Sequence, residues 1–283
     1  MKRFALIGHP VAGSLSPRLF AAAYGGRYAY DLLDRDSFAA AWQAFLDGYQ
    51  GINVTAPYKL DAFNAVHWRS ESALATGAVN LVVREADGLH GYNTDVDGVV
   101  GAVKECGRFP APLPSFPAPT GNLPASPEAL VVGTGGAARA AVAAAKLLGC
   151  SVTVAGRNLA KAQALSAAMD CSAVALSAIG TLRPQLLIYT IPGSVSVIPG
   201  LTLATPGLSP VIPDLSSVIP GLTGDLLRHA IVLEAEYKTP QLAAMPCRHY
   251  IGGRRWLLHQ ALSGYRLFTG EDPDASAMSN VIQ

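Results

Sequence analysis

Residues 129–132 are a short apolar run, Ala-Leu-Val-Val, that breaks at once into Gly133-Thr134-Gly135-Gly136 and resumes as the alanine-rich stretch that begins Ala137-Ala138-Arg139-Ala140. No other feature narrows the possible folds as far. An apolar run of this length suits a buried strand, and the alanines that follow suit a helix, so the glycines must turn the chain sharply between the two. A strand feeding a helix in this way is half of a βαβ unit, which requires a parallel sheet covered by helices. The spacing Gly133, Gly135, Ala138 also matches G-x-G-x-x-G/A. In that pattern the first glycine permits the turn, the second lets the backbone approach a pyrophosphate, and the third small residue packs the helix close to the strand. Gly136 and Ala137 open the helix, where free N–H groups attract an anion.

The following residues continue the pattern. Strands are predicted at 151–155, 173–176 and 186–190, helices at 137–148 and 159–169, and a closing strand at 231–235. Upstream, strands at 3–8, 28–33 and 51–54 alternate with a helix opened by Pro17 and another capped by Ser37, whose Phe38, Trp42, Phe45 and Leu46 fall on one face. A strand at 80–83, an extended run at 88–92 and a helix from about 96 to 106 follow. With 283 residues, two domains are expected, and both read as α/β. Residues 109–127 hold seven prolines and read as a linker or exposed loop. Between 196 and 223 the heptad SVIPGLT occurs twice, with SPVIPDLS between the copies, which reads as a duplicated Pro/Gly loop and not as a solenoid.

With a formal net charge of +1 and 14% charged residues, the chain carries no basic patch, so neither nucleic acid nor an anionic membrane is an expected partner. Cys106, Cys150, Cys171 and Cys247 are too far apart for a zinc site and read as reduced thiols, so no metal is expected. His9 and Pro10 interrupt the first apolar stretch before it reaches signal-peptide length, and no apolar run suffices to span a bilayer. A cytoplasmic protein, monomer or homodimer, is expected.

The next strand tip selects the dinucleotide. An NAD site needs an acidic residue there, whereas Ala155-Gly156-Arg157-Asn158 offers none. Arg157 suits a 2′-phosphate bidentately, Asn158 can donate to it, and Lys161 adds charge one turn on, so NADP is favoured. The first hundred residues carry polar motifs of another kind: GSLSP at 13–17, NVTAPYK at 53–59, GAVN at 77–80 and NTD at 93–95. Lys59 and Asp95 each close a turn after a strand, so both can meet at the carboxyl edge of one sheet and move a proton; taken singly they read equally as a surface lysine and a helix cap. Ser14, Ser16, Thr55 and Asn80 add neutral hydroxyl and amide groups suited to a polyhydroxylated small molecule.

In order along the chain, SLSP, NVTxPxK, GAVN, NTD, GxGGAARA, GRxxxKA and a late GxxWLxxQ ending in TG resemble the shikimate dehydrogenase family over nearly the whole length. The resemblance implies NADP-dependent, reversible reduction of 3-dehydroshikimate to shikimate on the route to chorismate and aromatic amino acids. It implies substrate contacts from Ser14, Ser16, Thr55, Lys59, Asn80, Asp95 and Gln260, with Tyr237 near substrate and nicotinamide. It further implies a substrate-binding and catalytic domain of residues 1–104 rejoined by 255–283, a Rossmann-like domain of residues 105–254, and an active cleft between them. A quinate-type paralogue and a catalytically silent binding protein are the alternatives. Several positions depart from the family pattern: Gly13 for histidine, Thr134 for alanine, Gly156 for asparagine, Tyr189-Thr190 where an asparagine is usual, and Trp256 for methionine. The segment around Tyr237 is also short. Gly156 implies a weaker cofactor contact.

Overall fold

The computed structural model describes residues 2–109, 126–191 and 224–283. The chain divides into two compact α/β units, one of residues 1–102, 139–144 and 254–283, the other of residues 103–138 and 145–253. Most of the proline-rich loop at 109–127 and all of the duplicated loop at 196–223 lie outside the described residues.

In the first unit the elements run β1 (Arg3–Gly8), α1 (Ser16–Tyr24), β2 (Ala29–Asp34), α2 (Phe38–Leu46), β3 (Gly51–Val54), α3 (Lys59–Ala65), β4 (Trp68–Arg69), α4 (Glu71–Thr76), β5 (Leu81–Glu85), β6 (Gly88–Tyr92) and α5 (Asp95–Glu105). They form a six-stranded sheet in the order β2-β1-β3-β5-β6-β4. The β2-β1-β3 half is parallel, and β5 runs antiparallel to both β3 and β6. The hairpin from β5 to β6 explains the reversal, because two strands joined by a tight turn must be antiparallel. Ser37 caps α2 as predicted, accepting from the Ala40 N–H at 3.3 Å. The short helices α3 and α4 escaped prediction, since at 7 and 6 residues they show less than two turns of periodicity.

The second unit carries β7 (Glu128–Val132), the two ends of α6 (Gly136–Leu147, whose residues 139–144 group with the first unit), β8 (Ser151–Gly156), α7 (Leu159–Ala168), β9 (Ser172–Ala175), a 3₁₀ turn at Leu176–Thr181, β10 (Leu186–Tyr189), α8 (Gly224–Arg228), β11 (Ile231–Glu234) and β12 (His249–Ile251). All five pairings in its sheet, β12-β11-β10-β7-β8-β9, are parallel. This is the Rossmann-like arrangement the glycine turn predicted. One expectation is corrected: β11 does not close the sheet, because β12 pairs outside it, a three-residue strand too short to read from the sequence. Both faces of such a sheet are covered, so its strands are apolar throughout; β10 and β11 are buried at every position.

The chain then adds α9 (Gly253–Thr269) and α10 (Ala275–Val281), which belong to the first unit. That unit therefore has a core on each face of its sheet. On one side Ile7, Ile52, Val54 and Val82 meet Phe45 of α2, Tyr58 at the cap of α3 and Ala62 within α3. On the other Phe4, Leu81 and Val83 meet Phe20 of α1, Leu258, Tyr265 and Phe268 of α9 and Met278 of α10. Phe4 stacks on Phe268 with centroids 4.9 Å apart, and Phe20 meets Tyr265 edge-on at 4.8 Å. Among the described residues no helix is long and apolar enough to cross a membrane.

Candidate active site

Lys59 begins α3 and Asp95 begins α5, and the two fold to an ion pair with Nζ 2.5 Å from Oδ2. Their side chains retain only 15% and 12% exposure, so the pair is largely withdrawn from the solvated surface. Asp95 profits from its place at a helix N-terminus, where the macrodipole favours negative charge. The same position is unfavourable for an ammonium, so Lys59 depends on its partner. The chain around Lys59 is tied to the GAVN motif by the Val79 N–H, which donates to the Lys59 carbonyl at 2.9 Å.

One residue before Asp95, Thr94 joins Asn80 and Gln260 in a buried polar cluster. The Asn80 amide oxygen accepts from the Thr94 N–H at 2.8 Å, and Asn80 Nδ2 and Thr94 Oγ1 both lie within reach of Gln260 Oε1, at 3.4 and 3.3 Å. Gln260 reaches this place because α9 packs tightly on α5. A Cβ on Gly98 would lie 2.5 Å from the Trp256 ring and one on Gly101 2.5 Å from the His259 ring. Glycine inside a helix costs roughly 1 kcal/mol relative to alanine, so two of them three residues apart signal close helix packing. That signal is present in the sequence, in the two glycines of an otherwise helical run.

Ser14 and Ser16 lie together, Oγ to Oγ at 3.1 Å. Near them the Tyr30 phenol donates to Asn53 Oδ1 at 2.7 Å; Asn53 Nδ2 in turn points at the Asn80 carbonyl at 3.5 Å. Burial, with the neighbouring Tyr265 phenol, pushes Tyr30 well above the ordinary tyrosine pKa and keeps it a donor. Tyr30 is thus joined to Asn80 through Asn53, and sequence reasoning missed both; Asn53 stood within NVTAPYK. Thr55 keeps its hydroxyl free of hydrogen bonds among the described residues, while its backbone N–H bonds the Ile7 carbonyl at 2.9 Å. Neutral donors and acceptors beside one charged pair suit a polyhydroxylated ring better than a phosphate.

In the second unit Gly133 has φ of 131°, which only glycine adopts readily, and its N–H bonds the Ala155 carbonyl at 2.8 Å. A Cβ there would strike the Thr190 hydroxyl, itself donated to the Val132 carbonyl at 3.0 Å. A Cβ on Gly135 would meet nothing within 4 Å, so the bend offers open space where a pyrophosphate would approach. Gly136 and Ala137 start the twelve-residue α6 with its N–H groups free to face an anion. Arg157 and Lys161 are exposed, and Arg157 makes no hydrogen bond or ion pair with the described residues. Asn158 is partly committed: its Oδ1 caps α7 through the Lys161 N–H at 3.1 Å, leaving the Nδ2 group to donate. These residues fit an NADP-type dinucleotide.

Tyr237 is half-buried in the loop that follows β11. Glu234, at the end of that strand and fully buried, anchors the loop: its carboxylate accepts from the Gln241 and Leu242 N–H groups at 2.7 and 3.0 Å and from the Tyr250 hydroxyl at 2.8 Å. Burial and this carboxylate push the Tyr250 phenol up, and burial with Glu234 nearby pushes Tyr189 up to about 12. Nothing in the sequence alone marked Glu234, since its bonding partners arrive only through the fold.

Residues 6–82 match the family model described as the shikimate dehydrogenase substrate binding domain. A shikimate dehydrogenase (NADP(+)) of Alteromonas mediterranea is 30% identical over 98% of this chain and 94% of its own length. Among solved structures, a shikimate 5-dehydrogenase from Thermus thermophilus in complex with NADP(H) and shikimate superposes with a TM-score of 0.75 at 28% identity, covering 100% of this chain and 98% of that one. A quinate dehydrogenase from Corynebacterium glutamicum in complex with NAD reaches a TM-score of 0.73 at 25% identity, covering 99% and 98%. With motifs, fold and near full-length similarity in agreement, the chain belongs to the shikimate dehydrogenase family.

Proposed function

We propose that this chain is an NADP-dependent shikimate dehydrogenase that reversibly reduces 3-dehydroshikimate to shikimate, with Lys59 and Asp95 as the catalytic pair. The observation that carries the proposal is the 2.5 Å contact between Lys59 and Asp95, next to the buried cluster of uncharged Asn80, Thr94 and Gln260. Bound NADPH supplies the hydride for the ketone carbon. Lys59 Nζ delivers a proton to the carbonyl oxygen, so a hydride and a proton add across the C=O bond, two electrons and two protons in all, and an alcohol forms. Asp95 orients the ammonium and balances its charge before transfer, and favours the return of a proton to the neutral amine afterwards. In the reverse direction the same lysine takes the proton from the ring hydroxyl.

Ser14, Ser16, Thr55, Asn80 and Gln260 are assigned to the substrate's hydroxyl and carboxylate groups, and Tyr237 to a position near the ring. Gly133, Gly135, Gly136 and Ala137 are assigned to the pyrophosphate, and Arg157, Asn158 and Lys161 to the 2′-phosphate. Residues 1–104 with 255–283 form the proposed substrate domain and 105–254 the proposed cofactor domain. The activity belongs to aromatic amino acid biosynthesis, and we place it in the cytoplasm.

The test is the rise of the NADPH absorbance band with shikimate and NADP+, set beside quinate and NAD+ in all combinations. Turnover should be fastest with shikimate and NADP+. Lys59→Ala should lower kcat by about 10²–10⁴-fold while leaving NADPH binding intact, the range expected for loss of a positioned acid-base group. Absence of turnover on shikimate, or an unimpaired Lys59→Ala enzyme, would refute the proposal.

A further inference from the structure

Two departures from the family pattern lie on the same few atoms. Thr134 sits inside the glycine bend, between Gly133 and Gly135, and Gly156 ends β8 immediately before Arg157. A Cβ placed on Gly156 would lie 2.9 Å from Thr134 Cγ2, closer than carbon atoms tolerate, and 3.6 Å from the Ala162 methyl of α7. The threonine methyl therefore occupies the space that a side chain at 156 would need. With the methyl fixed against Gly156, the remaining substituent on the threonine Cβ, its hydroxyl, must point elsewhere. Thr134 is only partly buried and its hydroxyl has no hydrogen-bond partner among the described residues. Arg157, adjacent to Gly156, carries a guanidinium that also makes no hydrogen bond or ion pair there.

A hydroxyl and a guanidinium that flank one strand tip, neither of them hydrogen-bonded to a described residue, are the parts of an anion-binding corner, and the guanidinium's charge reaches the Tyr189 phenol. The helix behind them starts at Gly136, so the dinucleotide's pyrophosphate is already accounted for by other groups. We infer that Thr134 is a specificity-determining residue whose hydroxyl donates to the 2′-phosphate of the dinucleotide, standing in for the polar side chain that Gly156 lacks. The inference rests on the NADP assignment and deepens it: Thr134 and Gly156 are one exchange, and the weaker cofactor binding expected from Gly156 alone is offset. A hydroxyl-to-phosphate hydrogen bond is charge-assisted, which makes it stronger than a neutral one.

Fluorescence or calorimetric titration of the full chain with 2′,5′-ADP and with 5′-AMP tests this without turnover. Wild type should prefer 2′,5′-ADP. Thr134→Val keeps the methyl on Gly156 and deletes the hydroxyl; it should weaken 2′,5′-ADP binding by about tenfold, the worth of one hydrogen bond to a charged group, and leave 5′-AMP binding unchanged. Thr134→Ser should bind 2′,5′-ADP as wild type does. Melting temperatures of both variants should match wild type, which separates a missing hydrogen bond from a damaged fold. A wild-type chain with no preference for 2′,5′-ADP overturns the NADP assignment and this inference with it. A preference that survives intact in Thr134→Val, or an equal loss for both nucleotides, overturns the role of Thr134 alone.

Discussion

Replacing Asp95 by asparagine removes one charge from the Lys59 pair while keeping the side chain's size. At 2.5 Å, and with the effective dielectric of about 20 that suits partly buried pairs, the gross attraction is about 7 kcal/mol. Most of that offsets the cost of taking both groups out of water, since the side chains keep 15% and 12% exposure. The loss in Asp95→Asn is therefore the penalty of stranding the ammonium, at the low end of about 3–5 kcal/mol because the amide oxygen can still accept one hydrogen bond. At about 2–4 °C per kcal/mol for a protein of this size, melting should fall by roughly 6–12 °C. The double variant Lys59→Met/Asp95→Leu removes both charges and should recover most of that loss, short of about 0.5 kcal/mol for the missing carboxylate at the α5 terminus. Its turnover should remain abolished. Calorimetric melting of wild type, single and double variants, with kcat measured on each, reads both quantities. A double variant that melts as low as the single one, or an Asp95→Asn chain as stable as wild type, would refute the view that the pair is held for chemistry at the expense of stability.

Three further outcomes are expected. Gly133→Ala places a Cβ on the Thr190 hydroxyl at φ of 131°, so it should melt lower than wild type and lose 2′,5′-ADP binding; unchanged affinity would show that the bend does not hold the cofactor. Gly156→Ala should cost about 1–3 kcal/mol by overpacking against Thr134, and Thr134→Ala/Gly156→Ala should restore most of it, as thermal denaturation of the four chains will reveal. Tyr189 titrates in the unfolded chain near 10 and in the fold at about 12, so its neutral form stabilises the native state fully below pH 10, and that contribution drains away as pH rises from 10 to 12. The alkaline loss should shrink by on the order of 2 kcal/mol in Tyr189→Phe, measured by urea denaturation across that range; identical pH profiles for the two chains would exclude it.

Much of this architecture was legible before any coordinates. The glycine bend, strand and helix at 129–147 announced the parallel sheet because each residue's preference agrees with its place. Lys59 and Asp95 were legible as candidates, and the fold supplied their contact. What escaped notice depends on partners distant in the chain. Glu234 looks like any strand-end carboxylate until the Gln241, Leu242 and Tyr250 donors converge on it. Tyr30 reads as one more aromatic on a half-buried strand, and only the fold sets its hydroxyl against Asn53. The helices α3 and α4 are too short to show a period, so local pattern carried no information about them. Thr134 and Gly156 looked like two independent blemishes in familiar motifs, and their coupling is visible only as an overlap of atoms.

The return of α9 and α10 to the first unit has a consequence for the growing polypeptide. Phe4, Phe20 and Leu81 emerge from the ribosome well before the side chains that cover them, Tyr265 and Phe268. The nascent amino-terminal half must therefore wait, greasy side uncovered, while about 150 further residues are synthesised, a delay of roughly 10–30 seconds at ordinary elongation speeds. Chains that stall or are cleaved before residue 254 would keep that surface open and become clients of chaperones or proteases.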